Sequence, residues 1–216
     1  MNRALLLVDI QNDFCAGGAL AVSDGDSVVA VANQAIAACQ QAGVWIIACQ
    51  DWHPADHRSF AVNSGTQVGD LGELDGLPQV WWPVHCVQGS PGADFHPRLS
   101  QQAIDWVVRK GTHPFIDSYS AFFDNGHRTR TELYDWLKAR NITQLTIMGL
   151  ATDYCVKYTV LDALALGYQT DVLTDGCRGV NLHPKDSQQA LEVLEVMAKH
   201  GATLVDLPTF IASLGQ

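Results

Sequence analysis

Four apolar runs along this chain each stop at a residue able to do chemistry. Ala4–Val8 ends at Asp9, and Val44–Gln50 ends at Asp51 with His53 just beyond. Ile104–Arg109 ends at Lys110, and Leu145–Leu150 opens into Ala151-Thr-Asp-Tyr-Cys155. Each run is short, bounded and apolar, which predicts a buried strand. Between them lie helical patterns. Ser27–Ala42 repeats Val28, Val31, Ala35 and Ala38 before Gly43, Thr129–Arg140 carries Leu133, Trp136 and Leu137, and Thr152–Leu166 closes at Gly167. Tyr168–Leu173 and Ala202–Val205 predict a fifth and sixth strand, with a last helix over Pro184–Lys199. Alternation of this kind predicts an α/β fold: a three-layer α/β/α, doubly wound, mainly parallel six-stranded sheet. The exception is Asp51–Ser100, a glycine- and proline-rich stretch with little periodicity, which predicts a long functional loop.

Composition narrows the class. The 216 residues suit one domain, residues 1–216, and 47% hydrophobic with 17% charged residues suits a soluble globule. Thirteen basic against 23 acidic residues give a formal charge of −10, which argues against nucleic acid or an anionic membrane as partner. The opening apolar run is too short for a secretion signal or a membrane span, so a cytoplasmic location is expected. Six cysteines without framework spacing predict free thiols. No feature of the sequence reports oligomeric state.

In a parallel sheet, ligands bind beyond the carboxyl ends of the strands. Asp9, Lys110 and Cys155 all fall at that edge. Cys155 lies in the first turn of a helix that Thr152 can cap. There, unpaired amides and a nearby lysine lower a thiol pKa, and the amides of Ala151 and Cys155 can hold an oxyanion. Asp9 can take the thiol proton and return it to a leaving group. Cys177 competes as nucleophile, since it follows the fifth strand, but no helix starts there. Asp51 and His53, two apart in an extended segment, project to one side and can share an ion, with His85 returning from the long loop. One carboxylate and two imidazoles suit zinc first, then iron or manganese. His57 is open: a fourth ligand, a support for the ligands, or a surface residue. A nucleotide-binding module is disfavoured, because the first turn lacks a G-x-G-x-x-G pattern.

Six motifs then combine: LVDIQNDF (Leu7–Phe14), DWHPADH (Asp51–His57), WPVHC (Trp82–Cys86), RKG (Arg109–Gly111), DSYSAF (Asp117–Phe122) and GLATDYCV (Gly149–Val156). In type and order they resemble the nicotinamidases of the isochorismatase-like cysteine hydrolase superfamily. The resemblance implies a triad of Asp9, Lys110 and Cys155, one divalent metal ion on Asp51, His53 and His85, and a non-proline cis peptide at Leu150–Ala151. It also implies that Phe14 and Trp82 wall a pyridine ring, with Tyr119 closing the pocket. The implied substrate is nicotinamide, hydrolysed to nicotinate and ammonia in NAD salvage, with activity on pyrazinamide. The alternative is a related amidase acting on another small carboxamide or carbamoyl compound.

Overall fold

The first apolar run becomes the strand β1 (Arg3–Val8), in which Leu5, Leu6, Leu7 and Val8 are all buried. A strand buried on both faces needs helices above and below it, and fully burying one such side chain contributes roughly 1.5–3 kcal/mol. The computed structural model describes residues 2–180 and 186–215, with the backbone alone for 186–191.

The chain continues through α1 (Ser27–Ala42), β2 (Trp45–Asp51), α2 (Ala61–Ser64), β3 (Leu71–Leu74), β4 (Leu77–Val80), β5 (Trp106–Lys110), α3 (Leu133–Ala139) and β6 (Gln144–Leu150). It closes with α4 (Lys157–Ala165), β7 (Gln169–Arg178), α5 (Asp186–Lys199), β8 (Thr203–Val205) and α6 (Leu207–Ser213). Six strands form one sheet in the order β5-β2-β1-β6-β7-β8, every pair parallel. Strand order reverses between β1 and β6. Right-handed crossovers leaving that point in opposite directions put α1 and α4 on opposite faces, and α1 packs with α6 while α4 packs with α5. The expected α/β/α architecture is therefore present. No described helix is long and apolar enough to cross a membrane.

Three expectations change. The fifth strand runs on through Cys177 to Arg178, because β7 is irregular against β6: Ile147 pairs with Val172, but Gly149 pairs with Cys177. The turn-like Thr174-Asp-Gly segment is absorbed in that irregularity. The third helix begins at Leu133 rather than Thr129, since Phe123 and Arg130 form an antiparallel bridge and Thr131 N–H donates to Phe122 O. The long loop contains an antiparallel ribbon, β3 with β4. Its strand β3 is mostly exposed and so shows no alternation. The signal for it lay in the turn, Asp75-Gly76, both with positive φ, as a two-residue hairpin demands. The helix expected over Pro184–Lys199 is α5, described from Asp186, and a further short helix, α6, follows it; His183, Pro184 and Lys185 lie outside the described residues.

Candidate active site

Asp9 follows β1 with φ +50°, Lys110 is the last residue of β5, and Cys155 lies in a π-helical turn, Thr152–Val156, directly after β6. Sheet register does the first part of the assembly, because Asp51 and Lys110 are direct partners across β2 and β5. Lys110 Nζ lies 3.0 Å from Asp9 Oδ2 and donates to Asp51 Oδ1 at 3.0 Å, Ser118 O at 2.9 Å and Cys155 Sγ at 3.4 Å. Acid, amine and thiol are thus in one buried cluster.

Burial works against the Lys110 charge, yet Asp51 and Asp9 together hold its pKa well above the usual lysine value. For Asp9, burial wins over the attraction of Lys110 and raises the carboxyl above its ordinary range. That makes it a stronger base. The Lys110 ammonium and the Cys155 thiol are both within hydrogen-bonding reach of the Asp9 carboxyl. For Cys155, burial again outweighs Lys110, and the thiol pKa is pushed well up. This corrects the expectation of a depressed thiol. Thr152 also fails as a cap: the position belongs to Ala151, without a side-chain cap, and Thr152 is buried within the turn. The turn hangs instead on Ala151 O, which accepts from Tyr154 N–H at 3.2 Å and Val156 N–H at 3.1 Å. The Leu150–Ala151 peptide is cis. Cys177, the rival nucleophile, donates to Leu173 O within its own strand, and burial pushes it up to about 12.

Beside this cluster, the nearest donor atoms of Asp51, His53 and His85 all lie within 4.8 Å of one another. His53 Nδ1 is 2.8 Å from Gly111 O, and His85 Nδ1 is 2.7 Å from Pro83 O. A carbonyl only accepts, so each Nδ1 carries the proton. Each neutral ring then presents an Nε2 lone pair to Asp51 Oδ2, at 3.0 Å for His53 and 3.4 Å for His85. Lone pairs facing a carboxylate require a cation or added protons between them. The donor set therefore fits a divalent ion, and the carbonyls supply the orientation such ligands need. Gln11 clamps the Asp51 backbone, donating to its carbonyl and accepting from its amide, both at 2.8 Å.

His57 is in neither the Asp9–Lys110–Cys155 cluster nor the Asp51–His53–His85 group. Its ring is buried 4.3 Å from that of His53, with Nδ1 2.7 Å from Ser59 Oγ and Nε2 3.2 Å from Ile116 O. It packs behind His53, and a grouping with His53 and Asp117 is the one ion-sized cluster that includes it among the described residues.

Phe14, Trp82 and Tyr119 line the same cavity as Asp51, His85 and Cys155. Trp82 Nε1 donates to Tyr119 Oη at 3.4 Å. Sequence reasoning missed Asp117, Tyr154, Leu20 and Val180 as lining residues. Asp117 and Tyr154 lay inside the motifs quoted above, whereas Leu20 and Val180 carry no local signal. Tyr154 completes an aromatic wall, its ring 5.0 Å from Trp82 and 5.3 Å from Tyr119.

Comparison with known proteins agrees with this chemistry. The family model of the isochorismatase domain matches residues 3–208. The nicotinamidase of Escherichia coli is 62% identical over 205 residues, covering 95% of each chain. The solved nicotinamidase/pyrazinamidase of Acinetobacter baumannii, 41% identical, superposes with a TM-score of 0.88 over 96% of this chain and 97% of that one. The pyrazinamidase of Pyrococcus horikoshii, solved in complex with zinc, is 34% identical with a TM-score of 0.77, covering 95% and 99%. The chain belongs to the isochorismatase family of hydrolases and is similar over nearly its whole length to nicotinamidases within it.

Proposed function

We propose that this protein is an amidohydrolase that converts nicotinamide and water to nicotinate and ammonia through a thioester on Cys155. The observation that carries the reading is a shared cavity: Cys155, Asp51 and His85 open onto one space walled by Phe14 and Trp82. A nucleophile and a set of cation ligands, separated by an aromatic slot, match a flat ring with a nitrogen on one side and a carboxamide on the other.

The residues then divide the work. Asp9, with its raised pKa, takes the proton of the Cys155 thiol. The sulfur attacks the carboxamide carbon, and the displaced carbonyl electrons gather on oxygen, held by the backbone amides of Ala151 and Cys155. Asp9 returns its proton to the amine, ammonia leaves, and the C–S bond remains as a thioester. Asp9 next takes a proton from water, whose oxygen displaces the thiolate; the proton passes back to sulfur. Lys110 stabilises Asp9 and the thiolate as anions through the contacts already described. Asp51, His53 and His85 would hold a zinc ion, which would supply an electrophilic anchor for the ring nitrogen. The choice of zinc rests on the one-carboxylate, two-imidazole donor set and on the zinc-bound relative. Phe14, Trp82 and Tyr119 hold the ring in plane against the thiol, a positioning effect.

Pyrazinamide keeps a ring nitrogen in the same relation to its carboxamide, and is a second substrate on this reading. The reaction serves NAD salvage in the cytoplasm, within one catalytic domain. The test is ammonia release from nicotinamide by purified protein and by Cys155→Ala. Turnover by wild type alone is expected. Normal turnover by the variant, or release only from some other amide, would overturn the assignment.

A further inference from the structure

Tyr119 lines the active-site cavity and also a second, separate cavity of about 200 Å³. On the first side its ring meets Trp82 and Tyr154; on the second it meets Tyr158, with centroids 5.4 Å apart and planes inclined at 31°. Asp162 reaches this second cavity from α4, one turn beyond Tyr158 on the same helix face. The residue is 8% exposed, and its Oδ2 has no partner among the described residues. A buried carboxylate oxygen without a donor is costly and unusual in a folded protein. His127 Nε2 lies 3.1 Å from the other oxygen, Oδ1, and leaves Oδ2 uncovered.

The chemistry of the cavity narrows what would cover it. Asp124, the other carboxylate of the lining, is already occupied: Oδ1 accepts from Gly126 and Arg128 amides and Oδ2 from Thr129. Asp162 is in none of the ion-sized ligand clusters found among the described residues, which disfavours a metal. The remaining walls are Leu77, Pro78, the two tyrosine rings and two neutral polar side chains, Ser120 and Asn125, with the Ser120 hydroxyl within hydrogen-bonding reach of the Asp162 carboxyl. One orphan anionic acceptor beside π faces and apolar surface suits an ammonium head on a compact hydrocarbon body. Burial raises the Asp162 carboxyl above its usual range, with Ser120 and His127 pulling it back, as expected of an anion without a full counter-charge. Tyr158 is 41% exposed, which gives a ligand a way in from solvent.

We infer that this cavity is a binding site for a small primary amine with an apolar or aromatic body, its ammonium group donating to Asp162 Oδ2 between the rings of Tyr119 and Tyr158. Occupancy would press on the Tyr119 wall that the active site shares. The test is titration calorimetry with benzylamine near neutral pH, with benzyl alcohol as the neutral control; it does not use turnover, so its outcome is separate from that of the amidase reading. Saturable binding of benzylamine but not benzyl alcohol is expected, weakened about tenfold or more in Asp162→Asn. Tyr158→Ala, at a partly exposed position, is the second variant and should weaken binding severalfold without lowering the thermal midpoint by more than a few degrees. Equal binding by Asp162→Asn, equal binding of the alcohol, or no saturable binding of the amine would overturn the site, leaving Asp162 only as an anchor for His127.

Discussion

Lys110 Nζ lies 3.0 Å from Asp51 Oδ1, so the ammonium that faces the thiol also touches a carboxylate of the ion-ligand cluster. The two halves of the site are therefore one electrostatic unit. Lys110 is buried between Asp9 and Asp51, with its ammonium 3.0 Å from an oxygen of each carboxylate.

Removing that amine should cost both activity and stability. Lys110→Ala leaves two buried carboxylates without their shared counter-ion, which is expected to destabilise the fold by about 3–5 kcal/mol as well as lower kcat strongly. Urea denaturation alongside ammonia release measures both. A variant with normal stability would show that the buried pair is not held as ions.

Asp9→Asn separates base chemistry from packing. Asparagine keeps the shape and tolerates the φ of +50° at this position, but cannot take a proton. The expected result is a fall in kcat of about 10²–10⁴-fold with the circular dichroism spectrum and KM little changed. Retained kcat would place the base elsewhere.

Gly111 sets the seat of His53. Its φ is +66°, and a Cβ there would come 2.5 Å from His53 Cε1 and 2.7 Å from Nδ1. Gly111→Ala must therefore push the imidazole away from the carbonyl that orients it. Zinc affinity, read by competition with a chelator, is expected to drop about 10–100-fold. KM for nicotinamide should rise more than kcat falls, and chelation of the wild type should give the same pattern.

His57 should make the protein acid-sensitive. Burial pushes its pKa down to about 4, from 6.5 for a free imidazole. As pH falls below about 6.5, the unfolded chain takes up a proton that the folded protein refuses, so stability is lost down to about pH 4. The loss from this group is at most about 3 kcal/mol. Denaturation midpoints across that window should fall less steeply for His57→Gln than for wild type; parallel slopes would mean His57 does not contribute.

Much of this was written locally in the chain. The strands that end at Asp9, Asp51, Lys110 and Leu150 are short apolar runs, and a run of that kind has few places to go except a doubly covered sheet. Because parallel strands share a direction, the residues that end them share an edge, and covalent order alone puts a carboxylate, an amine and a thiol there. The spacing of Asp51 and His53 needs nothing but extended backbone.

What neighbours distant in sequence decide was not legible. The protonation of Cys155 depends on a sum of burial and charge from four strands, and the sign came out opposite to that expected from a helix start and a lysine. His57 became a packing partner of His53 because Ser59 and the Ile116 carbonyl take its two nitrogens. Leu20 and Val180 joined the cavity, and Asp162 was left with a bare oxygen, only when separate segments closed around them. Periodicity and motif are properties of the covalent chain; desolvation, tautomer and pairing belong to the packed whole, where each group's energy is set by what excludes water from it.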